Sequence, residues 1–97
     1  MDRLTIDARL EALQRCITRI ESRRAQSAKS LEADIDRQDI LSLNLTRAIQ
    51  LCVDIAMHLA ADRELPTTGA MGSAFSTLAD ASLIDPHLAQ RLRAAVG

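Results

Sequence analysis

From Ile6 onward apolar residues return at intervals of four and three: Ile6, Leu10, Leu13, Ile17 and Ile20. A 3.6-residue period puts such positions on one face, so this stretch predicts an amphipathic helix ending near the polar run "SRRAQS". Ser27 and Ser30 then offer N-caps ahead of "LEADI". The period resumes through Leu41, Leu45, Ala48, Cys52, Ile55 and Leu59, which predicts a second long helix closed before Pro66. "LPTTGAMG" reads as a loop punctuated by Pro and Gly, and Phe75, Leu78 and Ala81 suggest a shorter third helix after it. Asp85 followed by Pro86 is an N-cap with proline at the first helical position, where a missing N–H costs nothing. Leu88, Leu92 and Ala95 would form the buried side of that fourth helix. Two long and two short helices joined by short polar loops predict an all-α fold, an antiparallel up-down four-helix bundle.

Composition supports that pattern. A chain of 97 residues is one small domain, 1–97, with too little length for two cores. At 47% apolar and 26% charged residues it belongs with globular proteins rather than disordered or fibrous ones. Ala, Leu, Arg, Asp and Gln outnumber the β-branched and aromatic residues that favour pleated surfaces, so strands are not expected. No stretch is apolar for long enough without interruption to cross a bilayer. The opening "MDRLTIDARLEAL" mixes acids into its apolar residues, unlike a signal peptide, so a cytoplasmic location and no membrane are expected.

Charge is distributed unevenly although the net is −1. Residues 1–30 hold seven Lys/Arg against four Asp/Glu, and residues 31–66 hold three against seven. Complementary solvated faces of neighbouring helices explain this, and a basic stripe for nucleic acid is the sharper alternative. Arg15, Arg19 and Arg23 form an i, i+4, i+8 row, with Glu11 one turn before Arg15 and able to pair with it. That row lacks aromatic neighbours on which bases could stack.

Candidate chemistry is sparse. Cys16 and Cys52 lie far apart with no C-x-x-C spacing, so packed thiols are expected rather than a metal site or a disulfide framework. His58 falls near the end of the second helix, where the helix dipole favours a cation. His87 and Arg91 lie four apart on the last helix and could converge on one anion, which a solvated helix surface explains equally well. No H-E-x-x-H, Gly-rich phosphate loop, G-x-S-x-G elbow or Cys-His-acid signature occurs, and no cofactor or metal is expected.

The segment "LNLTRAIQLCVDIAMHLAAD", followed by "LPTTGAMGSAFSTLADASLIDPHLAQRLRAAVG", resembles the HepT-type family of small helical proteins, also described as nucleotidyltransferase substrate-binding-like bundles. The resemblance runs from about Asp36 to Gly97, with a compatible first helix. It implies prokaryotic toxins that cleave RNA, form homodimers and are encoded beside a minimal nucleotidyltransferase acting as antitoxin. It also implies an activity resting on an Arg-x4-His-x-Tyr motif that begins two residues after a glycine matching Gly97.

The 97 residues contain no such motif. Val53 stands five residues before His58 and Ser82 five before His87, and there is no tyrosine to accept a nucleotidyl group. Metal-independent RNA cleavage needs a group to take the 2′-hydroxyl proton and a cation to stabilise the phosphorane. The chain as written is therefore expected to be catalytically incompetent, a HepT-type bundle without its cleaving residues. A non-toxic module that binds a nucleotidyltransferase, and an RNA-binding bundle using the basic face of the first helix, are the alternatives. The apolar inventory exceeds what a bundle of this size hides, so a two-fold interface through Leu41, Leu45 and Ile49, with the end of the fourth helix, is expected, and with it a homodimer.

Overall fold

The structure, a computed structural model, describes residues 3–97. Five helices follow in order: α1 (Arg3–Arg23), α2 (Ala28–Glu32), α3 (Ile35–Asp62), α4 (Ser73–Asp80) and α5 (Pro86–Val96). No strand occurs among the described residues, so the all-α expectation holds. The number of helices differs from the expected four, because the acidic stretch after Ser27 breaks in two. Ser27 and Ser30 do cap a helix, but a single turn-and-a-half: the Ser30 N–H donates to Ser27 Oγ at 3.1 Å and the Ser27 N–H to Ser30 Oγ at 3.3 Å. Asp34 then starts a new helix, its carboxylate accepting from the Arg37 N–H at 3.0 Å. Short Asp side chains compete with the backbone for such N–H groups and favour a cap over a helix interior. Gln38 Nε2 donates to the carbonyls of Leu31 and Glu32, at 2.8 and 3.2 Å, and ties the end of α2 to α3.

Every other helix packs on α3. At about 1.5 Å per residue its 28 residues span roughly 42 Å, which accounts for most of the molecule's 47 Å long axis. By length and average apolar character α3 also meets the requirement for a membrane-crossing helix, although polar residues interrupt its apolar runs. Here it is the central packing helix, with Asn44, Arg47, Gln50, Asp54 and His58 interrupting its apolar residues.

α1 lies antiparallel along α3. Arg9 pairs with Asp54 at one end, and at the other Arg37 Nη1 donates to the Arg24 carbonyl at 3.2 Å. Ile6 and Cys16 are buried in this contact and Leu13 and Ile20 half-buried, whereas Leu10 and Ile17, placed on the same face by spacing, are exposed on its shoulder. The reason is tertiary: the backbone of α1 runs close to α3 alone, and no Cα of α1 comes within 8 Å of α4 or α5. The bundle is consequently open on that side, with an apolar cleft between Leu10 and Leu13 on one wall and Ile84 and Leu92 on the other.

The core sits between the C-terminal half of α3 and the α4–α5 pair: Val53, Ala56 and Ala60 meet Ala74, Phe75 and Leu78, with Ala89 of α5 behind them. Small side chains on three helices allow close approach around one phenylalanine and one leucine. The buried side of α5 is Ala89, Leu92 and Val96, not Leu88, Leu92 and Ala95. Leu88 and Ala95 are rotated toward solvent because Ala89 is the residue that fits against α4. Ala81, expected inside the third helix, is its exposed C-cap. Asp85 caps α5 as expected, its carboxylate accepting from the N–H of His87 at 2.7 Å.

α3 and α4 end in the same way. After each C-cap a non-glycine takes a left-handed conformation, Glu64 with φ 55° and Ser82 with φ 62°. The next residue's N–H then reaches back over the last turn, Leu65 to the Ala60 carbonyl at 2.8 Å and Leu83 to that of Leu78 at 2.9 Å. These are Schellman closures, usually made with glycine at the left-handed position. Gly72, with φ 89°, supplies the left-handed entry to α4, where any L side chain would be strained.

Leu78, only 2% exposed, is the most deeply packed large side chain. Leu78→Ala is expected to cost about 2–5 kcal/mol, read as a lower urea midpoint at unchanged slope. Asp85→Ala, which removes only a cap, is expected to cost about 1 kcal/mol in the same assay.

Candidate functional site

The antiparallel α1–α3 pair leaves a long groove between the two helices, with a volume of about 670 Å³. Register places its contents. With Arg9 against Asp54 and Arg24 against Arg37, Arg15 stands across from Arg47 and Arg19 across from Leu43, and all four line the groove. Ala12, Ile40 and Leu51 supply apolar wall. Cys16 and Asn44 lie beneath; Asn44 is 7% exposed, and its amide donates to the Ile40 carbonyl one turn back at 2.8 Å.

None of the ion pairs among the described residues uses Arg15, Arg19 or Arg47. Glu11 and Arg15, which their spacing allows to pair, do not: both are exposed, water solvates both, and a held geometry gains little. Two acids at and along α3 are engaged elsewhere. Asp34 pairs with Arg37 at 3.5 Å, while Asp54 holds both Arg9 and, at 3.5 Å, His58 Nε2. His58 thus has a carboxylate partner one turn back on its own helix, a placement that the i, i+4 spacing from Asp54 already permits.

The candidate anion-binding residues separate into three groups. Arg15 and Arg19 share the groove. Arg23 belongs to the last turn of α1 and does not line it. His87 and Arg91 are exposed on α5, a helix that does not touch α1, so they cannot act together with the α1 row. Arg47 and Asn44 were not singled out by the sequence, because neither belongs to a basic run and only the α1–α3 register brings them beside Arg15 and Arg19. Leu41, Leu45 and Ile49 lie on α3 where α4 and α5 do not reach; Leu41 and Ile49 are half-buried and Leu45 is 48% exposed. Cys52 faces the apolar cleft, and burial raises its thiol pKa, so it stays protonated and unreactive at neutral pH. Among the described residues no three His, Cys, Asp or Glu side chains gather as metal ligands.

Comparison with known proteins places this architecture. Residues 13–97 match the family model described as Ribonuclease HepT-like. The mRNA nuclease HepT of Shewanella oneidensis is 30% identical over 89 residues, covering 92% of this chain and 66% of that protein. This chain therefore spans just under two thirds of that relative's length. Among solved structures, a tri-AMPylated Shewanella oneidensis HEPN toxin in complex with MNT antitoxin is similar at a TM-score of 0.88 and 30% identity, covering 100% of this chain and 71% of that one. A toxin–antitoxin structure with AMP-PNP is similar at a TM-score of 0.86 and 30% identity, covering 95% and 69%. With a family model matched from the middle of α1 through α5, the chain belongs to the HepT-like ribonuclease family.

Proposed function

We propose that this chain is the helical-bundle component of a HepT-type toxin–antitoxin pair, acting in the cytoplasm and neutralised by a minimal nucleotidyltransferase. One observation carries the reading: the fold is similar over all of its length to a toxin bound to its MNT antitoxin, at 30% sequence identity. RNA is the substrate class that the family's ribonuclease description suggests.

Residues 1–97 taken alone are proposed not to cleave RNA. Cleavage requires a histidine free to exchange a proton next to a cation aimed at the scissile phosphate. His58 and Arg9 are both drawn to the same Asp54 carboxylate, which neutralises the cation where it would be needed. His87 and Arg91 stand exposed on α5, where no surrounding wall excludes water from a reacting group. A two-fold interface through Leu41, Leu45 and Ile49 belongs to the same proposal, supported by the exposure of Leu45 on a helix face left uncovered by α4 and α5.

The purified 97-residue chain is expected to leave RNA intact across the pH range. Cleavage that disappears in His87→Ala would instead put an active site on α5. Light scattering at micromolar concentration is expected to show a dimer that Leu45→Asp converts to monomer, since an unpaired carboxylate in an apolar contact costs several kcal/mol, on the order of 2–7. A parent monomer would remove the interface, and a dimer indifferent to the substitution would move it elsewhere.

A further inference from the structure

The α1–α3 groove carries a feature that catalysis and self-association leave unused. Arg15 of α1 and Arg47 of α3 line opposite walls at the same level, Arg19 follows one turn along, and among the described residues no carboxylate pairs with any of them. Like charges facing one another oppose packing of the two helices rather than assisting it. Asp54, the carboxylate that lines the groove at its Arg9 end, is already engaged with Arg9 and His58. On α3 leucines flank Arg47 one turn to either side, Leu43 at 50% exposed and Leu51 half-buried, with Gln50 and Asp54 following toward the Arg9 end of the groove. We propose that this groove docks an amphipathic, acidic helical segment of a partner protein, whose apolar stripe covers Leu43 and Leu51 and whose carboxylates pair with Arg15, Arg19 and Arg47.

Three physical points favour a protein segment over a nucleic-acid strand. Arginine on the flank of an apolar strip is the usual make-up of a protein interface, where its planar fork pairs bidentately with carboxylates while its stem packs. A helix laid in a groove presents apolar residues at i, i+3, i+4 and i+7 with charged residues at the edges, which matches leucines on α3 with arginines beside them and on the facing wall. A strand of RNA would find phosphate partners here but nothing for its bases. The only aromatic residue of the chain, Phe75, is buried in the α4 core, and bases do not stack on leucine as they do on aromatic rings. The inference rests on the groove's charge and shape and stands whether or not the chain cleaves RNA.

Fluorescence anisotropy with three labelled probes tests it on the 97-residue chain. The probes are a helical peptide with leucines at i, i+3, i+4 and i+7 flanked by glutamates, the same peptide with lysine for glutamate, and a single-stranded RNA oligonucleotide of mixed sequence. The acidic peptide is expected to bind saturably and the lysine peptide not to bind. Arg15→Glu with Arg47→Glu is expected to weaken the acidic peptide at least tenfold, as is Leu43→Asp, with circular dichroism confirming unchanged helix content. Arg15→Gln with Arg47→Gln removes the charge without reversing it and keeps the test open should the reversed pair fail to fold. Absence of acidic-peptide binding overturns the proposal. So does RNA binding that is tighter than the peptide's, depends on Arg15 and Arg47 and ignores Leu43→Asp, which would make the groove a phosphate track.

Discussion

Everything in this molecule depends on α3 offering different faces to different partners along one continuous helix. Toward its C-terminal half Val53, Ala56 and Ala60 admit Phe75 and Leu78 closely enough to form the core. Another face receives α1 along most of the length, with Ile6 and Cys16 at the contact. α1 and the α4–α5 pair never meet, so α3 alone holds the two halves together. A helix in that position must be long, and it must be apolar on more than one side. This explains why α3 has the average apolar character of a spanning segment while carrying Arg47 and Asp54 in its middle.

The same arrangement creates the surfaces available for function. Where α4 and α5 stop, Leu45 is left half-exposed; where α1 tilts past them, an apolar cleft opens; and where α1 and α3 run side by side, their polar edges enclose the arginine-lined groove. Register in that groove is set by polar contacts at its two ends, Arg9 with Asp54 and Arg37 with the Arg24 carbonyl. Exposed pairs of this kind add little to stability, of the order of 0–1 kcal/mol each. Their weight here is in alignment, because a slip of one turn would separate Arg15 from Arg47.

Several elements were legible before any coordinates. The Asp85-Pro86 start of α5 is a local signal, complete within two residues, and it appears in the structure as read. The amphipathic period of α1 and the long period through Cys52 and Leu59 are likewise local consequences of 3.6 residues per turn. The family resemblance from about Asp36 to Gly97 also pointed to the family to which the chain belongs. Less legible were the helix ends at Glu64 and Ser82, because the left-handed positions there carry no glycine to mark them. The break at Ala33–Asp34 was missed for a related reason: Asp34 is equally acceptable as a solvent-facing helical residue until its carboxylate is seen to cap Arg37.

By itself, then, the sequence determined what is local: which segments are helical, where proline and serine start them, and which residue types are present for chemistry. Only the tertiary structure decided which apolar residues are buried, since Leu10, Ile17 and Leu88 share a period with buried neighbours yet stay exposed. It likewise decided which charges act together. Arg15 and Arg19 are joined to Arg47 and parted from His87 and Arg91, because proximity across helices follows from packing register and not from spacing along the chain.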